Sequence, residues 1–286
     1  MSRLIYIFML FPIISYSQLY DDEPRIITFL KNYYSKPDKV ENQYFIDFNY
    51  GLSFYDDIED QRFRNHYTFE GSYGFFRSFG DEKFASILRF ASEYAFLGNI
   101  SSDFKTFENN SLGIETDSWR FGFGYSDGFA YDFGKNSKFY LIHSSDWVWT
   151  RMDIIGNRES FPHDLAKFDE KFKFGNKFRG GMKMQLYKGI NLDFVYENTL
   201  IYPAHTVPKW LGMWVFDNLA QRWFDYFEPE WVDTFGNYYP WVRFIYKNLV
   251  SYILYEVRKD EMYWPFNSEK PVAFDSYKVG ISFVFD

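Results

Sequence analysis

Three residues of this chain have types and spacing that suit acyl transfer. In residues 143–147, HSSDW, His143 and Ser145 stand two apart. On a strand such a pair projects from one face. An imidazole that removes a proton from a neighbouring hydroxyl is the minimum for nucleophilic attack on an ester. The imidazole then needs a carboxylate to orient it, and Glu159 is the nearest candidate downstream. Leu141 and Trp147 lie on the same face. The competing reading is therefore two polar residues at the edge of an apolar layer, or facing another chain.

A second constellation is cationic. Lys171, Lys173, Lys177, Arg179 and Lys183 alternate along one strand face. Pairing with Asp193 and Glu197 on the next strand accounts for most of that charge. The alternative is an anion site at one end of the fold, where Lys171, Lys173 and Lys177 meet phosphates of lipopolysaccharide or of a solute. Metal and cofactor chemistry finds no footing. The chain has no cysteine. Its histidines (His66, His143, His163 and His205) lack zinc-like spacing, and no phosphate-binding glycine loop is present. A net charge of −8 argues against nucleic acid as a partner.

The elements that must position these residues are strands. Residues 43–54, QYFIDFNYGLSF, set Tyr44, Ile46, Phe48, Tyr50, Leu52 and Phe54 against Asp47, Asn49, Gly51 and Ser53. The pattern recurs over residues 67–77, 84–97, 111–127, 139–150, 172–187, 190–200 and 277–285. On the third strand Phe84, Leu88, Phe90, Tyr94 and Phe96 are expected outside, with Arg89 and Glu93 inside. In the fourth, Leu112 and Ile114 are out of phase with Trp119, Phe121 and Phe123, which predicts a bulge near Asp117 and Ser118. The glycines of FGFGYSDGF alternate with aromatics and leave room for bulky neighbours inside the fold.

Eight strands are predicted, each near or above the 9–11 residues of a tilted membrane-crossing strand. Long and short connections alternate between them, as in an antiparallel up-and-down barrel that spans a membrane. Aromatic residues make up 24% of the chain while its overall character stays polar. That mixture suits a wall wetted by lipid on one side and by polar groups on the other. At the N-terminus, Arg3 and the apolar run 4–14 precede Ser15-Tyr16-Ser17, a signal-peptide pattern with Gln18 as the first mature residue. Residues 1–17 are thus read as leader, 18–42 as a periplasmic lead-in and 43–286 as the barrel.

With its leader pattern, aromatic strands, loop rhythm and terminal YKVGISFVF, the chain resembles small bacterial outer-membrane β-barrels of the OmpA and OmpX type. The resemblance implies an all-β membrane protein in the bacterial outer membrane. Its partners would be outer-membrane lipid, lipopolysaccharide and the barrel assembly machinery. That machinery reads a final aromatic, here Phe285, although Asp286 follows it. The His143/Ser145 pair also resembles the lipid-facing His-x-Ser pair of outer-membrane lipid A deacylases. Those enzymes carry asparagine after the serine, where this chain has Asp146, and their pair sits nearer the C-terminus.

An eight-stranded barrel is just wide enough for its own side chains to fill it. The inward set is expected to be a charge network of Asp47, Glu70, Arg89, Glu93, Glu115, Arg120, Asp146, Arg179, Lys183, Asp193, Glu197 and Lys278. Residues 201–275 break the strand pattern. Polar stripes at helical spacing predict helices over 209–227 and 240–257, with Thr206 as N-cap and Pro229 as terminator. By strand parity this α-helical insertion lies outside the cell, on the outer leaflet or over the barrel mouth. The alternative is two further strands in 241–257, giving ten. The leading expectation is a filled, non-enzymatic barrel that binds a partner, lipid or envelope component through that insertion. A lipid A acyl hydrolase and a narrow solute pore are the alternatives.

Overall fold

The computed structural model describes residues 41–56, 63, 65–81, 84–102, 114–134, 137–155 and 163–285. The leader, most of the lead-in, Leu112, Glu159 and Asp286 lie outside the described residues. Eight strands follow one another around a closed antiparallel barrel. They are β1 (Glu41–Tyr55), β2 (His66–Asp81), β3 (Phe84–Ser101), β4 (Glu115–Asp132), β5 (Lys138–Ile155), β6 (Phe172–Tyr187), β7 (Ile190–Ile201) and β8 (Val272–Phe285). Closure is made by β1 on β8, with Phe48 opposite Ile281 and Ser53 opposite Ser276. The tight turn between β6 and β7 needs φ of 77° at position 189, which glycine supplies without strain.

Among the described residues four α-helices sit between strands: α1 (His163–Ala166) after β5, then α2 (Val207–Tyr226), α3 (Glu228–Phe235) and α4 (Tyr239–Arg258) between β7 and β8. The ten-strand alternative is therefore overturned. Thr206 is the α2 N-cap residue, though its side chain makes no capping bond. Pro229 both stops α2 and opens α3, since its missing N–H costs nothing in a first turn.

Facing follows the alternation on seven strands. Tyr44, Phe48, Tyr50, Phe69 and Tyr73 stand exposed on the outer face, while Asn49, Ser53, Thr68 and Glu70 are buried inside. Strand β3 is inverted relative to expectation. Phe90, Tyr94 and Phe96 point into the lumen, and Glu93 stands exposed on the outer face. The reason lies on β4. A Cβ at Gly122 would meet Phe96 at 2.6 Å, and one at Gly124 would meet Tyr94 at 2.3 Å. The β4 glycines are the hollows that receive the β3 rings. No bulge interrupts β4, whose pairing with β5 runs unbroken from Glu115↔Ile155 to Asp132↔Lys138. Ile114, with its partners Ile154 and Phe274, belongs to the inside, and Trp119 to the outside, of one continuous phase. Glu115 consequently falls on the outer side.

Helices α2 and α4 pair as a hairpin against the outer face of the barrel wall, not over its mouth. The hairpin leaves the end where β7 stops, with Trp210 packed on Trp147 and Phe174 at 5.9 Å each. It turns near the opposite rim, where Phe224 and Tyr239 cover Ile87 and Phe129. A 20-residue helix is about 30 Å long, the thickness of a bilayer's hydrocarbon core. The amphipathicity is reversed from that of a helix on a soluble core. Lys247 and Ser251 are buried on the wall side and Asp217 and Arg258 against each other between the two helices, whereas Leu219 is 68% and Ile245 58% exposed on the far side. Among the described residues no helix is long and apolar enough to cross a membrane on its own. The polar face is satisfied by the barrel.

Candidate functional site

Inside the barrel, charges of both signs pair in two groups. Arg120 bridges Glu70 at 2.7 Å and Glu197 at 2.6 Å. Lys177 reaches Glu70 at 3.0 Å and Asp146 at 3.1 Å, and Lys278 reaches Glu197 at 2.5 Å. Arg179 joins Glu70 and Asp146 at 3.4 Å each. Nearer the turn end of the barrel, Lys183 sits between Asp47 and Asp193, 3.4 Å from each. Five cations (Arg120, Lys177, Arg179, Lys183, Lys278) thus meet five carboxylates (Asp47, Glu70, Asp146, Asp193, Glu197). Balanced pairing is what permits this much charge away from water.

The inverted β3 rings complete that network. The Lys177 ammonium lies 3.3 Å from the Phe96 ring centre, and the Arg179 guanidinium 4.7 Å from that of Tyr94. The Tyr94 hydroxyl donates to Asp146 at 2.5 Å. At the loop end an apolar plug closes over the charges, built from Tyr55, Ile100, Met152, Leu165, Phe168 and Phe274. Toward the turn end a cavity of about 70 Å³ remains, with Phe45, Ser92, Tyr140, Arg179 and Asp193 on its walls.

A second polar layer lies in the seam between the hairpin and the outer wall. Arg89 pairs with Glu228 of α3 near the hairpin tip. Further along, Arg243 and Lys247 face Asp127 and Asp225, with Lys247 at 3.0 and 2.9 Å from the two acids. Next come His143 Nδ1, 3.3 Å from Asn248 Oδ1, and the Gln221 amide, which donates to Ser251 at 2.7 Å. At the loop end Asn198 donates to Asp275 at 2.6 Å, and Arg258 is clamped by Asp217. Beyond α4, Lys259 pairs with Asp56 at 3.1 Å and Glu256 at 2.8 Å. Partial burial disfavours its charge, but the hydrogen bonds to Glu256 and Asp56 win and hold its pKa above the usual lysine value.

Two of the solved structures to which the chain is similar are barrels. One is Neisserial surface protein A (NspA), at 9% identity and a TM-score of 0.38, covering 86% of this chain and 99% of that one. The other is Ail, the attachment invasion locus protein of Yersinia pestis, at 10% identity and a TM-score of 0.32, with the same coverage. Ail is also known in complex with the heparin analogue sucrose octasulfate, and that structure gives a TM-score of 0.35. Both are small bacterial outer-membrane barrels of eight strands, the architecture found here. No protein-family model matches the chain, and neither does any curated protein sequence.

The sequence-derived candidates divide sharply. Asp47, Glu70, Arg120, Arg179, Lys183, Asp193 and Glu197 all lie inside the barrel in ion pairs. Arg89 and Glu93 do not, because they ride on the inverted strand. The three lysines of the anion-site alternative are not brought together. Lys177 is fully buried in the network, Lys173 donates to the Pro203 carbonyl, and Lys171 is exposed. His143 and Ser145 do share the outer face, and β4 brings Asp127 directly opposite His143. That carboxylate is occupied by Arg243 and Lys247, however, and among the described residues no hydrogen bond joins Ser145 to His143. Asp127, Asp225, Arg243, Lys247 and Asn248 went unremarked as a wall-facing set. Their signal was present as opposite charges on two helices that otherwise look too apolar for water.

Proposed function

We propose that this protein is a bacterial outer-membrane barrel with a closed lumen that works by binding, and that its working surface is the helical hairpin on its wall. The single observation that carries this reading is the reversed amphipathicity of α2 and α4. Their polar faces are sealed against outward-facing Asp127 and His143, and their apolar faces are left for hydrocarbon. A helix pair bathed in water would present the opposite arrangement. The ionic network and apolar plug support a closed barrel over a solute pore. The occupied Asp127 favours binding over acyl hydrolysis. Exposed Phe285, stacked on Tyr44, is the terminal aromatic that assembly machinery would engage.

The absence of cysteine makes the test direct. Single cysteines at Leu219 and, as an exposed control, at Lys270 are labelled in intact cells with a membrane-impermeant maleimide. Lys270→Cys should react and Leu219→Cys should not, while a lipid-soluble maleimide labels both. Equal reaction of both with the impermeant reagent would place the hairpin in water and refute the proposal. In planar bilayers the purified protein should show no steady conductance.

A further inference from the structure

A groove of about 470 Å³ runs between α4 and the outer face of β6, β7 and β8, within the size range of ligand sites. Its wall side is made by Phe178, Met182, Phe194, Tyr277 and Val279, and its helix side by Phe244, Asn248 and Ser251. Gly180 forms part of its floor, and a Cβ there would collide with the Asn248 side chain at 2.3 Å. The inward alternation carries the Arg179 and Lys278 side chains away into the lumen, so the wall charge nearest the groove is Asp275 at its loop end.

The groove is polar at one end only. Register places Met182, Phe194 and Val279 at one level, toward the turn end, and Phe178, Asn198 and Asp275 at another, toward the loop end. The loop-end level adds Ser251, whose hydroxyl accepts from Gln221 and keeps its own proton to donate. A carbon-lined trough with a hydroxyl donor at one end matches an ester-linked acyl chain. The charges around that end discriminate between headgroups. Asp275, Glu256 and Asp56 gather there against one ammonium, Lys259. Such a surface repels a polyphosphorylated headgroup and attracts one that carries an ammonium.

We infer that this groove holds one acyl chain of a zwitterionic phospholipid whose ammonium headgroup lies beside Asp275 and Glu256. The inference rests on the hairpin lying in the bilayer, which the cysteine labelling above tests separately. Full-length protein is reconstituted into vesicles of phosphatidylethanolamine and phosphatidylglycerol with added lipopolysaccharide. It is then extracted in mild detergent and weighed by native mass spectrometry. One phosphatidylethanolamine should remain on the wild type. Val279→Trp and Met182→Trp each fill the groove from lipid-exposed positions, and retention should fall by about tenfold, the effect of roughly 1.4 kcal/mol. Leu97→Trp, exposed on β3 across the barrel, should leave retention unchanged, and heat-modifiable mobility certifies that every variant is folded. Undiminished retention in both groove variants would overturn the assignment. So would equal retention of phosphatidylglycerol or lipopolysaccharide, or a second copy of the chain in place of lipid.

Discussion

Replacing Asp127 by asparagine should loosen the hairpin while leaving the barrel closed. In the seam Asp127 and Asp225 face Arg243 and Lys247, two charges of each sign. These side chains are mostly buried, the least covered being Asp127 at 16% exposure. Removing one carboxylate strands a cation between helix and wall. Breaking a buried pair in this way costs about 3–5 kcal/mol, because the remaining charge keeps its desolvation penalty. At about 1.4 kcal/mol per tenfold, the undocked hairpin population should rise by roughly two to three and a half powers of ten. A Ser251→Cys reporter, buried against the wall when the hairpin is docked, reads that population through its rate of reaction with a lipid-soluble maleimide. Adding Lys247→Met to Asp127→Asn restores charge balance and should recover most of the loss. If the single and double variants label equally fast, charge pairing does not hold the hairpin, and the reasoning fails. Heat-modifiable mobility should be unchanged throughout, since none of these residues faces the lumen.

Three further outcomes are expected. Phe48→Arg puts a cation on the lipid-facing wall and should lower stability by about 2–4 kcal/mol in urea titrations of protein folded in vesicles; an unshifted midpoint would mean that this face does not meet lipid. Gly124→Ala drives a methyl group into the Tyr94 ring and should cost about 1–3 kcal/mol, and combining it with Tyr94→Phe should not rescue it, because the clash is with the ring and not the hydroxyl. Ser145→Ala should match wild type in both stability and fatty-acid release from lipid A, with no release from either; release by wild type that the variant lacks would revive the hydrolase.

The barrel was legible because alternation on a strand wall is nearly digital. One misplaced residue flips a whole face, so a pattern such as that of residues 43–54 leaves little freedom. Strand β3 misled because the rule that the greasier face meets lipid assumes a polar interior. Here the interior also needs rings to lie over Lys177 and Arg179, and outward Ala91 and Ala95 are small enough to make the wrong face look polar. The correct facing was written on the neighbouring strand. Inward glycines at 122, 124 and 128 must be filled by someone, and only β3 supplies the bulk. The helices were legible as helices, but a polar stripe does not say whether it faces water or a wall. What distinguishes the two is charge balance across elements, with Asp217 answering Arg258 and Asp127 answering Lys247. Those pairings link residues far apart in the chain, and spacing alone does not reveal them.

The hairpin also has a consequence for how the barrel closes. Strands β7 and β8 are neighbours in space, yet residues 202–271 separate them, where a two-residue turn joins β6 to β7. Bringing the ends of so long a loop together costs roughly 0.6 kcal/mol for each doubling of length, about 3 kcal/mol more than for the short turn. The base of the hairpin offsets this directly. The Tyr263 hydroxyl donates to the Ala204 carbonyl at 3.0 Å and accepts from the Thr206 amide at 3.0 Å, tying the outgoing and returning segments together. A hairpin folded first is therefore a short, stiff link, and the last strand is delivered beside β7 with its other edge free for β1. The segment that looks like an interruption of the sheet also shortens the gap that the last strand must close.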